Sequence, residues 1–283
     1  MARVLRSPLA SPLAQPLHDL GSILFPSSCR LCSGTLLRVT AAPVCDDCLS
    51  RLLPSQYNLC VRCGENLSAD TFATYGLPDG PRECPTCRLA PPPFVRAASF
   101  GEYRDTLRSA VHLLKYEHVT AVAAPLGSLL AQAILSLESD SPTSLTVIAV
   151  PLSPSRQRTR GFNQTILLAR AALRELHHLR PHWDLQPAHD SLQRSRDTES
   201  HFRLTPHQRR ANLKNAFSVI NPVAIAGRDI LLLDDIYTTG ATARECTRTL
   251  LAAGATSVRV ATLARAQVET FTIWRPPPLA TIH

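Results

Sequence analysis

The sequence predicts an α/β protein: a mainly parallel, twisted sheet flanked by helices and preceded by a small cysteine-rich module. Three observations predict it. Residues 230–233 (Ile-Leu-Leu-Leu) form an apolar run too short and too uniform for an amphipathic helix, and they fit a parallel strand buried on both faces. Residues 145–150 (Leu-Thr-Val-Ile-Ala-Val) read as a second buried strand, and stretches of helical periodicity lie around both. Four Cys-x-x-Cys pairs, Cys29/Cys32, Cys45/Cys48, Cys60/Cys63 and Cys84/Cys87, are confined to residues 29–87.

The 283 residues are enough for one α/β domain and a smaller module, and a hydrophobic content of 45% supports a real core. Net charge is +8, carried by arginine: of the 30 basic residues only Lys115 and Lys214 are lysines, which leaves 28 arginines. That balance is compatible with phosphate-rich ligands or nucleic acid. The cysteine spacing is that of metal knuckles rather than of a secreted disulfide scaffold, which implies a reducing compartment. Residues 1–18 carry Arg3, Arg6 and prolines at 8, 12 and 16 without an unbroken apolar stretch, so no signal peptide is expected. No apolar run approaches the length of a membrane span. A cytoplasmic protein without membrane insertion is the expectation.

Residues 1–18 read as a flexible tail, and a short apolar helix through Leu20, Ile23, Leu24 and Phe25 stops at Pro26. The cysteine module occupies residues 19–90. Two thiolates three residues apart bite one metal from a tight turn, and two such pairs complete a tetrahedral four-sulfur site. Eight ligands therefore imply two structural zinc ions with no open coordination position. Sequential pairing, Cys29/Cys32 with Cys45/Cys48 and Cys60/Cys63 with Cys84/Cys87, keeps the closed loops short; a crossed pairing stays open.

Prolines 91–93 read as a linker to a second domain over residues 94–268, with a tail at 269–283. Residues 94–103 read as a strand and turn. Residues 105–116 read as a helix with Leu107, Val111 and Leu114 inward and Lys115 at its end, either solvated or in contact with an anion. A helix over 122–137 and a loop over 139–144 lead to the strand at 145–150. Residues 151–164 follow as a loop with Arg156, Arg158, Arg160 and Gly161, whose guanidinium forks suit phosphate oxygens. A helix over 165–179, a polar basic segment over 194–215, a strand at 217–219, the central strand from Ile230 and a strand at 257–263 complete the domain. Cys246 reads as core packing.

The chemistry concentrates at residues 234–242. Asp234 and Asp235 end the central strand, so that both carboxylates meet water at its C-terminal edge, and Thr238, Thr239, Gly240 and Thr242 turn the chain into a helix. Such a turn offers backbone N–H groups, hydroxyls and the positive end of a helix dipole to a phosphate. Carboxylates repel phosphate and need another partner, which a ribose diol supplies with or without Mg²⁺. A ribose 5-phosphate is the ligand implied. A P-loop NTPase would need Gly-x-x-x-x-Gly-Lys-Ser/Thr, and neither lysine follows such a loop. A purely structural turn would leave two adjacent acids without partners.

Residues 230–242 resemble the phosphoribosyl pyrophosphate (PRPP) motif of type I phosphoribosyltransferases. Adding Pro151-Leu152, Arg160-Gly161-Phe162-Asn163-Gln164, Arg194-x-Arg196-x-Thr198, Asn212 and Ala216-Phe217, the chain resembles the ComF family over about residues 20–266. The resemblance implies a type I phosphoribosyltransferase-like domain behind a double zinc ribbon, with a part in natural competence and the uptake of single-stranded DNA. It implies that Asp234 and Asp235 hold ribose hydroxyls and Mg²⁺, that Tyr237, Thr238, Thr239, Gly240, Ala241 and Thr242 bind PRPP, with Tyr237 beside the sugar where a base could stack, and that Lys115, Arg156 and Arg160 balance pyrophosphate. The rival expectation is a non-catalytic adaptor that grips single-stranded DNA or a competence helicase and keeps a sensory or vestigial PRPP site. His201 stands where the family tends to have glutamine, within a segment expected to close over PRPP as a lid.

Overall fold

The computed structural model describes residues 27–36, 41–55, 58–67, 82–197 and 213–267. The expected helix at Leu20 to Phe25, both tails, His201, Thr198 and Asn212 lie outside the described residues.

The cysteine module contains two five-residue helices, α1 (Asp46–Ser50) and α2 (Pro85–Leu89), each preceded directly by a cysteine, Cys45 or Cys84. The second domain runs β1 (Ala97–Glu102), α3 (Asp105–Tyr116), α4 (Ala123–Leu135), β2 (Ser144–Ala149), α5 (Pro154–Arg160), α6 (Gln164–Leu179), β3 (Asp184–Pro187), β4 (Leu192–Arg194), β5 (Phe217–Val219), β6 (Asp229–Tyr237), α7 (Ala241–Ala252) and β7 (Ser257–Arg265). Five strands form one sheet in the order β1-β7-β6-β2-β3. Every pairing in it is parallel. The residue run from 230 is thus the middle strand, and its apolar residues are buried because both neighbours and both faces are covered.

From β2 the chain crosses through α6 to β3 on one side, and from β6 through α7 to β7 on the other. The C-terminal ends of β2 and β6 therefore flank the point where strand order reverses, which is where open α/β sheets leave a crevice. Over residues 230–233 the side chains of β6 alternate between two cores. Leu231 and Leu233 share one core with α3, α4, α6 and the first cysteine cluster, represented by Cys29 and Cys48. Ile230 and Leu232 share the other with α7, Phe217 and all four cysteines of the second cluster.

Three expectations are corrected. The central strand does not end at its acids: β7 pairs with it through Asp234↔Thr262 and Ile236↔Ala264 to Tyr237↔Arg265, so the ladder carries both aspartates inside the strand and Asp235 is buried. Residues 154–160 are a helix rather than a loop, started by Pro154 at its first position and closed by Gly161 at φ 72°. Of the segment expected over 194–215, Arg194 is strand, the last residue of β4, which pairs antiparallel with β5, and residues 195–197 leave the ladder. The helix expected over about 122–137 is present as Ala123–Leu135, and Leu137 is buried just beyond it. β3 has little apolar signal, being exposed at the sheet edge, and its ladder is extended by a side chain: the Ala149 N–H donates to His189 Nδ1 at 3.2 Å.

Candidate functional site

The cysteines assemble as two sets, Cys29, Cys32, Cys45 and Cys48, and Cys60, Cys63, Cys84 and Cys87, with the ligand atoms of each set within 4.8 Å of one another. This is the sequential pairing. A tetrahedral zinc site with Zn–S near 2.3 Å has S···S edges of about 3.8 Å. The separations of 3.9 Å for Cys29 and Cys48, 3.7 Å for Cys32 and Cys45, and 3.6 Å for Cys63 and Cys84 match that edge. The residues fit zinc, and with four sulfurs per ion it would hold the fold there.

The two sets are repeats of one unit, which was legible in Cys29-x-x-Cys32-Ser-Gly-Thr-Leu36 against Cys60-x-x-Cys63-Gly-Glu-Asn-Leu67 but not read there. Cys29 N–H donates to Gly34 O as Cys60 N–H does to Glu65 O; Arg30 N–H donates to Pro43 O as Val61 N–H does to Arg82 O; Leu36 N–H donates to Ser27 O as Leu67 N–H does to Asn58 O. In each, the N–H of the third cysteine donates to the first sulfur, at 3.4 Å in one and 3.2 Å in the other. Burial raises the Cys48 thiol, as do the neighbouring sulfurs, and Cys60 holds the Cys84 thiol up. Four thiolates this close need a cation between them.

The two aspartates have different surroundings. Asp235 faces α3 and α6, where Lys115 Nζ lies 2.8 Å from Oδ1 and Gln164 Nε2 donates to Oδ2 at 2.6 Å. Arg160 extends the chain by donating to Gln164 Oε1 at 2.9 Å, with its guanidinium 5.2 Å from the centre of the exposed Tyr116 ring. Burial would raise the Asp235 carboxyl, but the Lys115 charge and these hydrogen bonds outweigh it and hold the pKa below the usual value. Asp234 faces the opposite core and lines a small cleft with Thr238, Gly240, Ala241 and Thr242. Its Oδ1 accepts the Asp235 N–H at 2.8 Å. Burial, and then the adjacent Asp235 charge, push it up to about 7.

Lys115 is thus neither solvated nor open to an anion: it is the counter-charge of Asp235. Tyr237 lines the same cleft as Asp234, but little of its ring is open to it. It is buried, edge-on to Phe94 at 6.4 Å and stacked on Arg265 at 4.4 Å, because β6 continues far enough to carry it under the loop. Gly240 has φ +72° and caps α7; a Cβ there would lie 2.1 Å from the Tyr237 hydroxyl, so only glycine fits. The Thr239 hydroxyl is buried beside it without a hydrogen-bond partner. Arg156 is exposed on α5. Burial, and then the nearby Arg156 charge, lower the pKa of Arg194, which in turn helps hold Asp234 down. Asp197 accepts from Ser155 N–H and Oγ at 3.0 and 2.6 Å, and Asn215 donates its N–H to the buried Glu245 at 2.7 Å, so both ends of the segment carrying His201 are tied to the helices beside the crevice. Gln164, a motif residue with no expected role, is the link from the basic helix to the acid pair.

The raised Asp234 pKa has a defined consequence. The folded chain binds more protons than the unfolded chain between the unfolded aspartate pKa of about 3.9 and about 7, so this group's contribution to stability falls as pH rises through that window. Asp234→Asn is expected to stabilise the ligand-free protein by about 1–3 kcal/mol at pH 8 and by much less at pH 4.5. Urea midpoints at both pH values check this, and equal shifts would contradict it.

No family model matches the chain. It is 34% identical over 242 residues to the DNA utilization protein YhgH of Salmonella typhi, covering 85% of this chain and 97% of that protein. It is 28% identical to competence protein F of Haemophilus influenzae, over 84% of this chain and 96% of that one, and 27% identical to competence protein ComFC of Bacillus subtilis, over 78% and 84%. Among solved structures, a hypoxanthine phosphoribosyltransferase from Staphylococcus aureus is a partial likeness, 15% identical with a TM-score of 0.33, covering 50% of this chain and 62% of that one. With its two four-cysteine sets, its parallel sheet and relatives matched over most of their length, the chain belongs to the ComF family.

Proposed function

We propose that the crevice at the C-terminal ends of β2 and β6 binds PRPP or a related ribose 5-phosphate, and that the chain acts as a phosphoribosyltransferase-like protein in DNA uptake. The observation that carries the reading is the turn at residues 238–240: a buried Thr239 hydroxyl without a hydrogen-bond partner and a left-handed Gly240 stand at the N-terminus of α7, and Asp234, which lines the cleft with Thr238, Gly240 and Thr242, makes no ion pair among the described residues like that of Asp235 with Lys115. Phosphate satisfies the hydroxyl and the first-turn N–H groups, and the ribose hydroxyls satisfy Asp234. Asp234 is also the carboxylate available to a Mg²⁺ ion brought in with the pyrophosphate, since Asp235 is held by Lys115 and Gln164; Mg²⁺ takes one or two protein carboxylates plus substrate phosphates, and would supply charge neutralisation of the leaving group. Asp235, Lys115 and Gln164 then fix the strand end against α3 and α6. Arg160 and the exposed Arg156, on the helix that follows β2, are the groups that would balance the pyrophosphate charge. Displacement at C1 of the ribose builds positive charge on the sugar and negative charge on pyrophosphate, so positioned carboxylates and guanidiniums are the groups such a step needs.

Calorimetric titration of the zinc-loaded chain with PRPP and Mg²⁺ tests the reading, with pyrophosphate release measured as candidate acceptors are added. Asp234→Asn is expected to weaken binding at least tenfold while raising stability, which separates loss of the ligand from loss of the fold. Unchanged affinity in that variant would refute the site. The second reading, a DNA-gripping adaptor, is favoured by the exposed Arg156 and Arg158 on α5 beside the crevice. It predicts single-stranded DNA affinity that falls steeply with salt and survives Asp234→Asn.

A further inference from the structure

The second cysteine set does not end at its sulfurs. Arg265, the last residue of β7, is buried against it: one terminal nitrogen donates to the Cys63 carbonyl at 2.6 Å, and the other lies 3.5 Å from Cys63 Sγ and 3.4 Å from Glu65 Oε2. The same guanidinium covers the Tyr237 ring at 4.4 Å from its centre. The Tyr237 hydroxyl occupies the space that a side chain would take at Gly240. Two buried side chains therefore connect a metal-ligating sulfur to the glycine of the phosphate loop. A second tie runs in parallel, because Arg244, on the helix that this loop starts, donates to the Ala90 and Pro91 carbonyls just past α2 at 2.7 and 3.0 Å. The first set lies in the other core, and among the described residues its charged tie to the sheet domain is the exposed Arg30–Glu117 pair.

Charge explains why an arginine stands there. Four thiolates around Zn²⁺ leave two net negative charges, and a buried charge needs a buried partner. Arginine offers five donors in a fixed fork and a flat face, so it can bond to the cysteine with one edge while stacking on an aromatic ring. Lysine can do only the first. The Gly240 turn is held from beneath by that stack.

We propose that Arg265 is the outer-sphere partner of the second zinc site and that, through Tyr237, it holds the phosphate loop in its binding shape, so that the loop answers to metal in the second set. The ligand half of this rests on the ribose 5-phosphate reading above; the metal half does not. Full-length, zinc-loaded protein is challenged with a metallochromic chelator, and cysteine alkylation mapped by mass spectrometry shows which set has emptied. Arg265→Met is expected to speed release from the second set about 10- to 100-fold, the usual effect of removing a partner behind a ligand, and to leave the first set at its wild-type rate. Arg265→Lys should fall between, since it keeps the charge and loses the fork. Amide exchange at residues 238–243 is expected to quicken as the second zinc leaves, and PRPP affinity to fall about tenfold in Arg265→Met with circular dichroism unchanged. Wild-type release rates from the second set in Arg265→Met would overturn the metal half. Unchanged exchange in the loop after the second zinc has gone would overturn the coupling. If the wild-type chain binds no PRPP, the ribose 5-phosphate reading falls, while zinc release and loop exchange still decide this proposal.

Discussion

Lys115→Met is expected to destabilise the protein by about 3–5 kcal/mol, the range seen when one partner of a buried ion pair is removed. The pair is Lys115 Nζ to Asp235 Oδ1 at 2.8 Å, with side chains 12% and 7% exposed. Removing the ammonium leaves two aspartates adjacent in one strand, and Asp235 loses the charge that kept its pKa low against burial. One of the two must then hold a proton near neutrality, so the loss should be larger at pH 8 than at pH 5. Lys115→Met/Asp235→Asn removes the stranded charge and is expected to recover most of the stability, Gln164 bonding an amide as readily as a carboxylate. Denaturant unfolding of wild type, both single variants and the double variant closes a mutant cycle. A double variant as unstable as the lysine variant would show that the helix end, and not the ion pair, carries the effect.

Removal of zinc is expected to act on a larger scale. Atomic absorption should find two zinc ions per chain, and chelation should unfold the knuckles and lower the melting temperature by about 10 °C or more. Among the described residues up to 90, the buried apolar side chains other than cysteine are Leu36, Val44, Leu52 and Leu67. At about 1.5–3 kcal/mol each they do not offset a backbone ordering cost of about 1–2 kcal/mol per residue, so metal binding has to supply the difference. The effect should spread into the sheet domain, because Cys60, Cys63, Cys84 and Cys87 are themselves part of the core that holds Phe94, Ile148 and Leu232. A chelated protein that melts as before would mean that the sulfurs hold no structural metal.

The sequence made some of this legible and hid the rest for identifiable reasons. The helix at 105–116 is amphipathic, and its inward Leu107, Val111 and Leu114 are buried as its periodicity requires. The middle strand was legible because four consecutive apolar residues admit few other fates. Its true end was not, since that depends on β7, a partner twenty residues further on, and carboxylates normally stop a buried strand unless something outside it neutralises them. Lys115 is that something, supplied from more than a hundred residues away. Helix α5 was missed although Pro154 and Gly161 stand at the positions that open and close a helix; its arginines drew attention to charge and away from these signals. The paths from Gln164 to Asp235 and from Arg265 to Cys63 join residues 71 and 202 positions apart, and no local pattern encodes such contacts.

The alternation along β6 makes parity a property that this strand cannot alter. Asp235 meets Lys115 and Gln164 on one side of the sheet, and Asp234 meets the cleft on the other. Inserting or deleting one residue before them would exchange the two acids, pointing the wrong carboxylate at the lysine and the paired one at the cleft, with hydrophobicity and length almost unchanged. A change of two would restore the sides and shift only the register. Among variants of the run Ile230 to Leu233, odd and even changes of length should therefore separate into losers and survivors, a distinction that an inventory of residue types would not contain.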